Sequence, residues 1–241
     1  MCAAESEDDF ELNPPSPERV AKRAFALAAV VCRSGIEQGE FHSAAEDFRR
    51  DVLRWLTDAR VTDELEPEER VLLETPLGSL TERQEINASW RGEGLAVLAW
   101  ALKRFELPAY DQIVSPPDVA DALGFLTNDG YELLAAPELR APEEIDHLAE
   151  LMLAAHWRLR QFSIDGLPME YAVFAQTCYF GPLETRGLRF VDGDLAIGER
   201  AISKVQEAEW REVLSIVRER QQAANWLTGQ DPIYSEVTCD T

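Results

Sequence analysis

Basic side chains and histidine are the scarce residues of this chain. Its 241 residues hold 23 Lys plus Arg against 45 Asp plus Glu, with three His, for a formal charge of -22. Phosphate backbones and anionic lipid surfaces are held by Lys and Arg that displace counterions, so this balance excludes an extended duplex-DNA or membrane-surface face. Cysteine is sparse too: Cys2, Cys32, Cys178 and Cys239 contain no CxxC pair. A chain of this length buries roughly 70–75% of its unfolded surface, enough core to need no disulfide, and a reducing, cytoplasmic compartment is expected. Long apolar runs are missing as well. Stretches such as Leu95–Leu102 fall far short of the ~20 residues that a membrane span requires. Met1–Glu18 holds six acids and no base, which is not the pattern of a secretory signal. Finally, the chain has no G-x-S-x-G elbow, no G-x-x-x-x-G-K-[ST] loop and no G-x-G-x-x-G fingerprint.

Hydrophobic residues make up 46% of the chain, so it is globular rather than an acidic disordered polymer. Residues 1–15, with Glu5, Glu7, Asp8, Asp9 and Glu11 before Pro14 and Pro15, read as a disordered acidic arm. Residues 16–241 read as one mainly α-helical domain. Ser16-Pro17-Glu18 supplies an N-cap, a proline at the first helical position and a carboxylate at the positive helix end. Val20, Ala24, Leu27, Ala28 and Val31 then form an apolar helical stripe, and Phe41, Ala45, Phe48, Val52, Trp55 and Leu56 form a second. Glu66-Pro67 opens a short helix. Thr81-Glu82-Arg83-Gln84 is a capping box that launches a long one, where Gly92 and Gly94 mark a tight backbone approach. Ser115-Pro116 and Pro142-Glu143-Glu144 start two more, the second carrying Ile145, Leu148, Met152, Ala155 and Leu159. Ser203-Lys204-Val205-Gln206 caps a last helix that ends near Gly229. Between them, Tyr171–Phe180 is compatible with helix or strand, and Asp192-Gly193 gives residues 186–200 the turn chemistry of a small two-stranded flap.

Polar residues inside the long apolar helices are the candidate site: Arg91 and Glu93; His156, Arg158 and Arg160; Arg220 and Asn225. Charges on core-facing helices need partners, since an unpaired buried charge costs several kcal/mol. One reading is a buried network, Glu93 with one or more of Arg158, Arg160 and Arg220, that fixes helix packing. The other is an anion pocket with arginine clamps and His156 or Glu93 as acid or base. Catalytic residues stay unassigned, and no cofactor or metal is expected. Glu144 and His147 have the ExxH spacing of di-iron bundles, but no second such motif accompanies them. Asp192-Gly193-Asp194 has a DxD form that a hairpin turn explains better, and Cys178 reads as a small core residue. The six tryptophans fall mostly on helix stripes, and Ile233, Tyr234 and Val237 offer apolar anchors for docking the tail.

Three segments, Ser89-Trp90-Arg91-Gly92-Glu93 with Val97–Leu102, His156-Trp157-Arg158-Leu159-Arg160, and Arg218-Glu219-Arg220 with Asn225-Trp226-Leu227, occur in order before Val237-Thr238-Cys239-Asp240-Thr241. Together they resemble the bacterial family known as domain of unknown function 4272, over roughly residues 16–241. The resemblance implies an intracellular helical domain and carries over no activity and no functional residue. Gln221 stands where that family usually has His, and Tyr234 where it has Trp.

Two functions remain open. The excess of acid suits a non-catalytic interaction protein with a basic protein partner, for example an antitoxin-like or immunity-like inhibitor of a basic enzyme, or a nucleic-acid mimic. The alternative is an enzyme or small-ligand binder built on the Arg/His/Glu set.

Overall fold

The Arg19 N–H donates to Ser16 Oγ at 3.3 Å, and this cap starts α1 (Pro17–Glu37) in the computed structural model, which describes residues 12–37, 39 and 42–239. Most of the expected acidic arm, Phe41, and the terminal Asp240-Thr241 lie outside the described residues. Within them the chain is already held at Asn13, whose N–H donates to the Gly229 carbonyl at 3.2 Å. After α1 come α2 (His42–Asp58), α3 (Pro67–Glu74), α4 (Glu82–Ala101), α5 (Pro116–Leu123), α6 (Asn128–Ala135), α7 (Pro142–Asp165), α8 (Tyr171–Thr177) and α9 (Glu207–Leu227). Strands β1 (Phe190–Val191), β2 (Asp194–Ile197) and β3 (Arg200–Ala201) form one small antiparallel sheet between α8 and α9. Among the described residues no helix is long and apolar enough to cross a membrane.

The four long helices lie side by side in the order α1, α4, α9, α7. Small residues permit this. Ala21, Ala24, Ala26, Ala28 and Ala29 of α1 are buried, as are Gly92, Gly94, Ala96 and Ala99 of α4. Between two flanking helices α4 has little solvent-facing surface, so residues 92–99 are buried without interruption. The capping box at its start forms as the spacing predicts, with the Gln84 N–H on Thr81 Oγ and the Thr81 N–H on Gln84 Oε1.

The flap differs from expectation in one respect: a third strand joins it. Val191 pairs with Asp194 across Asp192-Gly193, both at positive φ (52° and 78°), which is the two-residue turn that an Asp-Gly pair favours. Ala196 pairs with Ala201 on the other edge of β2, and all four β2 residues are buried. Tyr171–Thr177 is helix rather than strand. The cap of α9 sits three residues beyond the one expected at Ser203: Gln206 is the N-cap and residues 202–204 form a 3-10 turn. α6 had no sequence signal. Phe48, expected on a core stripe, is 41% exposed, and Ile86 and Ile233 are exposed as well.

The chain after α9 folds back along it. Gln222 Nε2 donates to the Tyr234 carbonyl at 2.9 Å and Asn225 Nδ2 to the Thr238 carbonyl at 3.1 Å. Tyr234 is thereby driven fully into the core, edge-on to Trp226 at 5.8 Å. Gly94 is the residue that makes room: a Cβ there would overlap the Tyr234 hydroxyl, while the ring's Cζ would lie at an ordinary 3.6 Å. That hydroxyl has no hydrogen-bond partner among the described residues. Gly94→Ala should therefore destabilise, because overpacking costs about 1–3 kcal/mol and exceeds the ~1 kcal/mol gained in helix propensity. Tyr234→Phe removes the overlapping atom, so the double variant should recover most of the loss in urea unfolding, and additive losses would refute this account.

Candidate functional site

The singled-out polar residues do not converge on one place. Glu93 of α4 and Arg220 of α9 face each other across the α4–α9 contact, 2% and 1% exposed. Arg220 Nε donates to Glu93 Oε2 at 2.8 Å, and the Val114 N–H donates to Oε1 at 2.9 Å. The other Arg220 nitrogens donate to the carbonyls of Pro108 and Ala109, each at 3.1 Å, and of Gln112 at 2.7 Å. The guanidinium thus fastens an irregular loop, 102–115, onto two helices and satisfies backbone groups that the loop leaves over. Burial pulls the Arg220 pKa below its ordinary value and Glu93 opposes the pull. Arginine stays a cation throughout the accessible pH range. Both groups are saturated by each other and by backbone.

Arg158 of α7 chooses a different acid. Its Nε and Nη2 donate to Asp194 Oδ1 and Oδ2 at 2.6 and 2.7 Å, a bidentate pair with both residues buried. Nη2 also reaches the Leu167 carbonyl at 2.9 Å, and the N–H groups of Met169 and Leu195 close on Asp194 at 3.0 and 2.8 Å. This pair ties the flap to α7. Arg160, two positions on, is on the opposite side of the helix, exposed and without an ion pair among the described residues. Asn225 holds the tail.

His156 is 5% exposed and lies against Gln221. Burial lowers its pKa below the ordinary 6.5; Gln221 pulls the other way, and nearby Arg218 and Arg160 lower it further. Neither His156 Nδ1 nor Gln221 Oε1 completes a hydrogen bond among the described residues. Among the described residues no acid or hydroxyl is hydrogen-bonded to this imidazole as in a catalytic pair. His147 sits 3.4 Å from Glu184, partly exposed, and no group of three His, Cys, Asp or Glu among the described residues is placed to hold a metal. Cys178 is buried and donates to the Gly181 carbonyl at 2.7 Å.

Two further buried arginines, both on α1, escaped the sequence reading. Arg23 binds Glu69, lies 3.7 Å from Glu66, donates to the Glu64 carbonyl at 2.8 Å and stacks 5.1 Å from the Tyr234 ring centre. Burial raises the pKa of Glu64 and Glu69 despite the arginines beside them. Arg33 pairs with Glu37 at 2.6 Å and reaches the Thr75 and Pro76 carbonyls, both at 3.2 Å. A signal was present: Arg23 falls three after Val20 and four before Leu27, on the apolar stripe itself.

Arg91 belongs elsewhere again. Its Nη1 donates to Glu219 Oε2 at 3.1 Å and to Gln222 Oε1 at 3.0 Å, and the residue lines an open cleft of about 480 Å³ between α4, α9 and the tail.

Two outcomes are expected. Arg220→Met should destabilise by about 3–5 kcal/mol in urea unfolding, because it strands Glu93 and three loop carbonyls away from water; a loss under 1 kcal/mol would show the pair to be dispensable. Keeping His156 neutral contributes stability that is full above pH 6.5 and is lost as pH falls through its depressed folded value. His156→Gln should therefore gain stability relative to the native chain between about pH 7 and 5, and parallel pH profiles would contradict this.

No curated protein and no solved structure matches the chain. The family model described as Domain of unknown function (DUF4272) matches residues 3–179, well over half of the sequence. The match takes in α1 to α8 with Glu93 and Arg158, and ends before Asp194 and Arg220. On that coverage the chain belongs to the DUF4272 family.

Proposed function

We propose that this is a non-catalytic cytosolic interaction protein whose α5–α6 face receives a basic, amphipathic segment of a partner protein. The observation that carries the reading is the acidic face beside an apolar groove. Residues 105–139 contain seven acids and no Lys or Arg. Glu106, Asp111 and Glu138 are engaged by Arg140, Arg189 and Lys103. Asp118 and Asp121 on α5 and Asp129 and Glu132 on α6 are exposed and make no ion pair among the described residues. An i,i+3 spacing puts each couple on one helix face.

Asp121 also lines a groove of about 720 Å³ between α1, α2, α4 and α5, whose walls include Val31, Ile36, Phe48, Ala120, Phe125 and Leu126. Apolar walls with the Asp121 carboxylate at one side suit a segment in which apolar and basic residues alternate around a helix. Ser34 and Ser89 in the same walls spend their hydroxyls on the Glu85 and Ile86 carbonyls. The Cys32 thiol is pushed up to about 11 by burial, which makes it a poor nucleophile. These groups leave the groove without evident chemistry, which favours binding over catalysis. Cys32 and Cys178 stand as thiols, in keeping with a reducing compartment.

The whole-chain charge supports the same reading. Four arginines are buried against two buried carboxylates, so the rest of the chain is more acidic than -22. Long-range attraction would speed the encounter with a basic partner and be screened by salt. Affinity capture from the native host at about 50 and 300 mM salt should enrich basic proteins at the lower concentration and release them at the higher. The variant Asp118→Lys/Asp121→Lys should weaken capture by about tenfold. Partners that withstand high salt and ignore the charge reversal would overturn the proposal.

A further inference from the structure

We propose that the cleft between α4, α9 and the tail binds a small phosphate monoester that carries a flat ring, the chemical class of a nucleoside monophosphate. The inference stands on a different surface from the α5–α6 face and does not depend on it.

The cleft gathers residues that the helical repeat brings to common faces of α4 and α9. Arg83, Trp90 and Arg91 recur on α4 two turns apart, and Arg218, Glu219 and Gln222 recur on α9. Ser235, Val237 and Cys239 of the tail line it as well. Its volume of about 480 Å³ is within the range of pockets that hold small ligands.

Charge is what sets this cleft apart. Acids outnumber bases about two to one, and most arginines with described surroundings have found a carboxylate. Arg83 and Arg218 have not: both are exposed and neither makes an ion pair among the described residues. Arg91 pairs with Glu219, and Glu66 and Glu69 act on it from further away. Among the described residues that line the cleft, three guanidiniums face one carboxylate, a surplus of two positive charges in a chain of -22. A phosphate monoester carries about -1.5 to -2 at pH 7 and presents the oxygens that guanidinium forks accept bidentately. A carboxylate would neutralise half of that.

The floor is held in place before any ligand arrives. Arg91 is fixed by Glu219 and Gln222, and Gln222 is fixed in turn by the Tyr234 carbonyl. Arg83 and Arg218 are the exposed, movable clamps. Trp90, half-buried in the same lining, is the aromatic group there against which a planar ring would pack. Size follows from the field of the whole molecule. A polyanion would extend beyond the cleft into the repulsion of the acidic surface. A small dianion stays within about one Debye length, ≈ 8 Å in physiological salt, of the three arginines.

The test is calorimetric and NMR titration of the full chain at low salt with adenosine 5′-monophosphate, adenosine and inorganic phosphate. The monophosphate should bind about tenfold or more tightly than either of the other two, because each alone lacks one half of the recognition. Arg83→Ala and Arg218→Ala should each weaken it by about tenfold with circular dichroism unchanged, since both side chains are exposed and neither makes an ion pair among the described residues. Three results would overturn the proposal: no binding of any probe at millimolar concentration, equal binding of phosphate and monophosphate, or arginine variants that bind as the native chain does.

Discussion

Burial of arginine against carboxylate and backbone oxygen is the constraint on which the rest of this structure depends. A guanidinium cannot shed its proton, so its removal from water must be matched donor by donor. Arg220 meets this with Glu93 and three carbonyls of the 102–115 loop. Arg158 meets most of it with Asp194 and Leu167, Nη1 alone having no hydrogen-bond partner among the described residues. Each pair therefore fixes something that apolar packing alone would leave free: the course of an irregular loop in one case, the seat of a small sheet in the other. Apolar contact between α1, α4, α9 and α7 supplies the bulk of the driving force, but it is non-directional and would tolerate sliding. The ion pairs specify register.

Much of the architecture could be read from local signals because local physics determines it. Ser16-Pro17-Glu18 and Thr81 to Gln84 start helices through caps that involve neighbours three residues away. Asp192-Gly193 turns the chain because few other pairs adopt two successive positive φ angles. The same reasoning found that Glu93, Arg158 and Arg220 require partners, and it could not say which. Arg158 and Arg160 look equivalent in the sequence, yet two residues turn about 200° around a helix, so one enters the core and the other solvent. Asp194 was hidden because its position after a turn glycine explains it well enough without Arg158. α6 was silent, a single eight-residue helix containing Gly130. The cleft around Arg91 needs α4, α9 and the tail brought together, and no spacing along the chain encodes that.

The distribution of charge is the mirror of the packing. Because four of 23 bases are drawn inward, the surface is left with few cations, and those that remain mostly answer a nearby acid. Against this background two patches stand out: the α5–α6 face, whose four exposed acids make no ion pair among the described residues, and the cleft, where Arg83 and Arg218 make none. An acidic field that repels polyanions everywhere else sharpens both, since each local patch acts on small or complementary partners only at close range.

The separation of Glu93 from Arg220 has a consequence for how the chain is made. The two are 127 residues apart, and α4, on which Glu93 lies, is sandwiched between α1 and α9. At about 5–20 residues per second, a ribosome takes roughly 6–25 s to deliver the counter-ion after the carboxylate has left the peptidyl-transferase centre. Until then α1 and α4 have one face without its covering helix and an acid with no cation to bury it. Nascent α1–α4 must wait in a partly open state, and the final packing step belongs to the moment when α9 clears the exit tunnel.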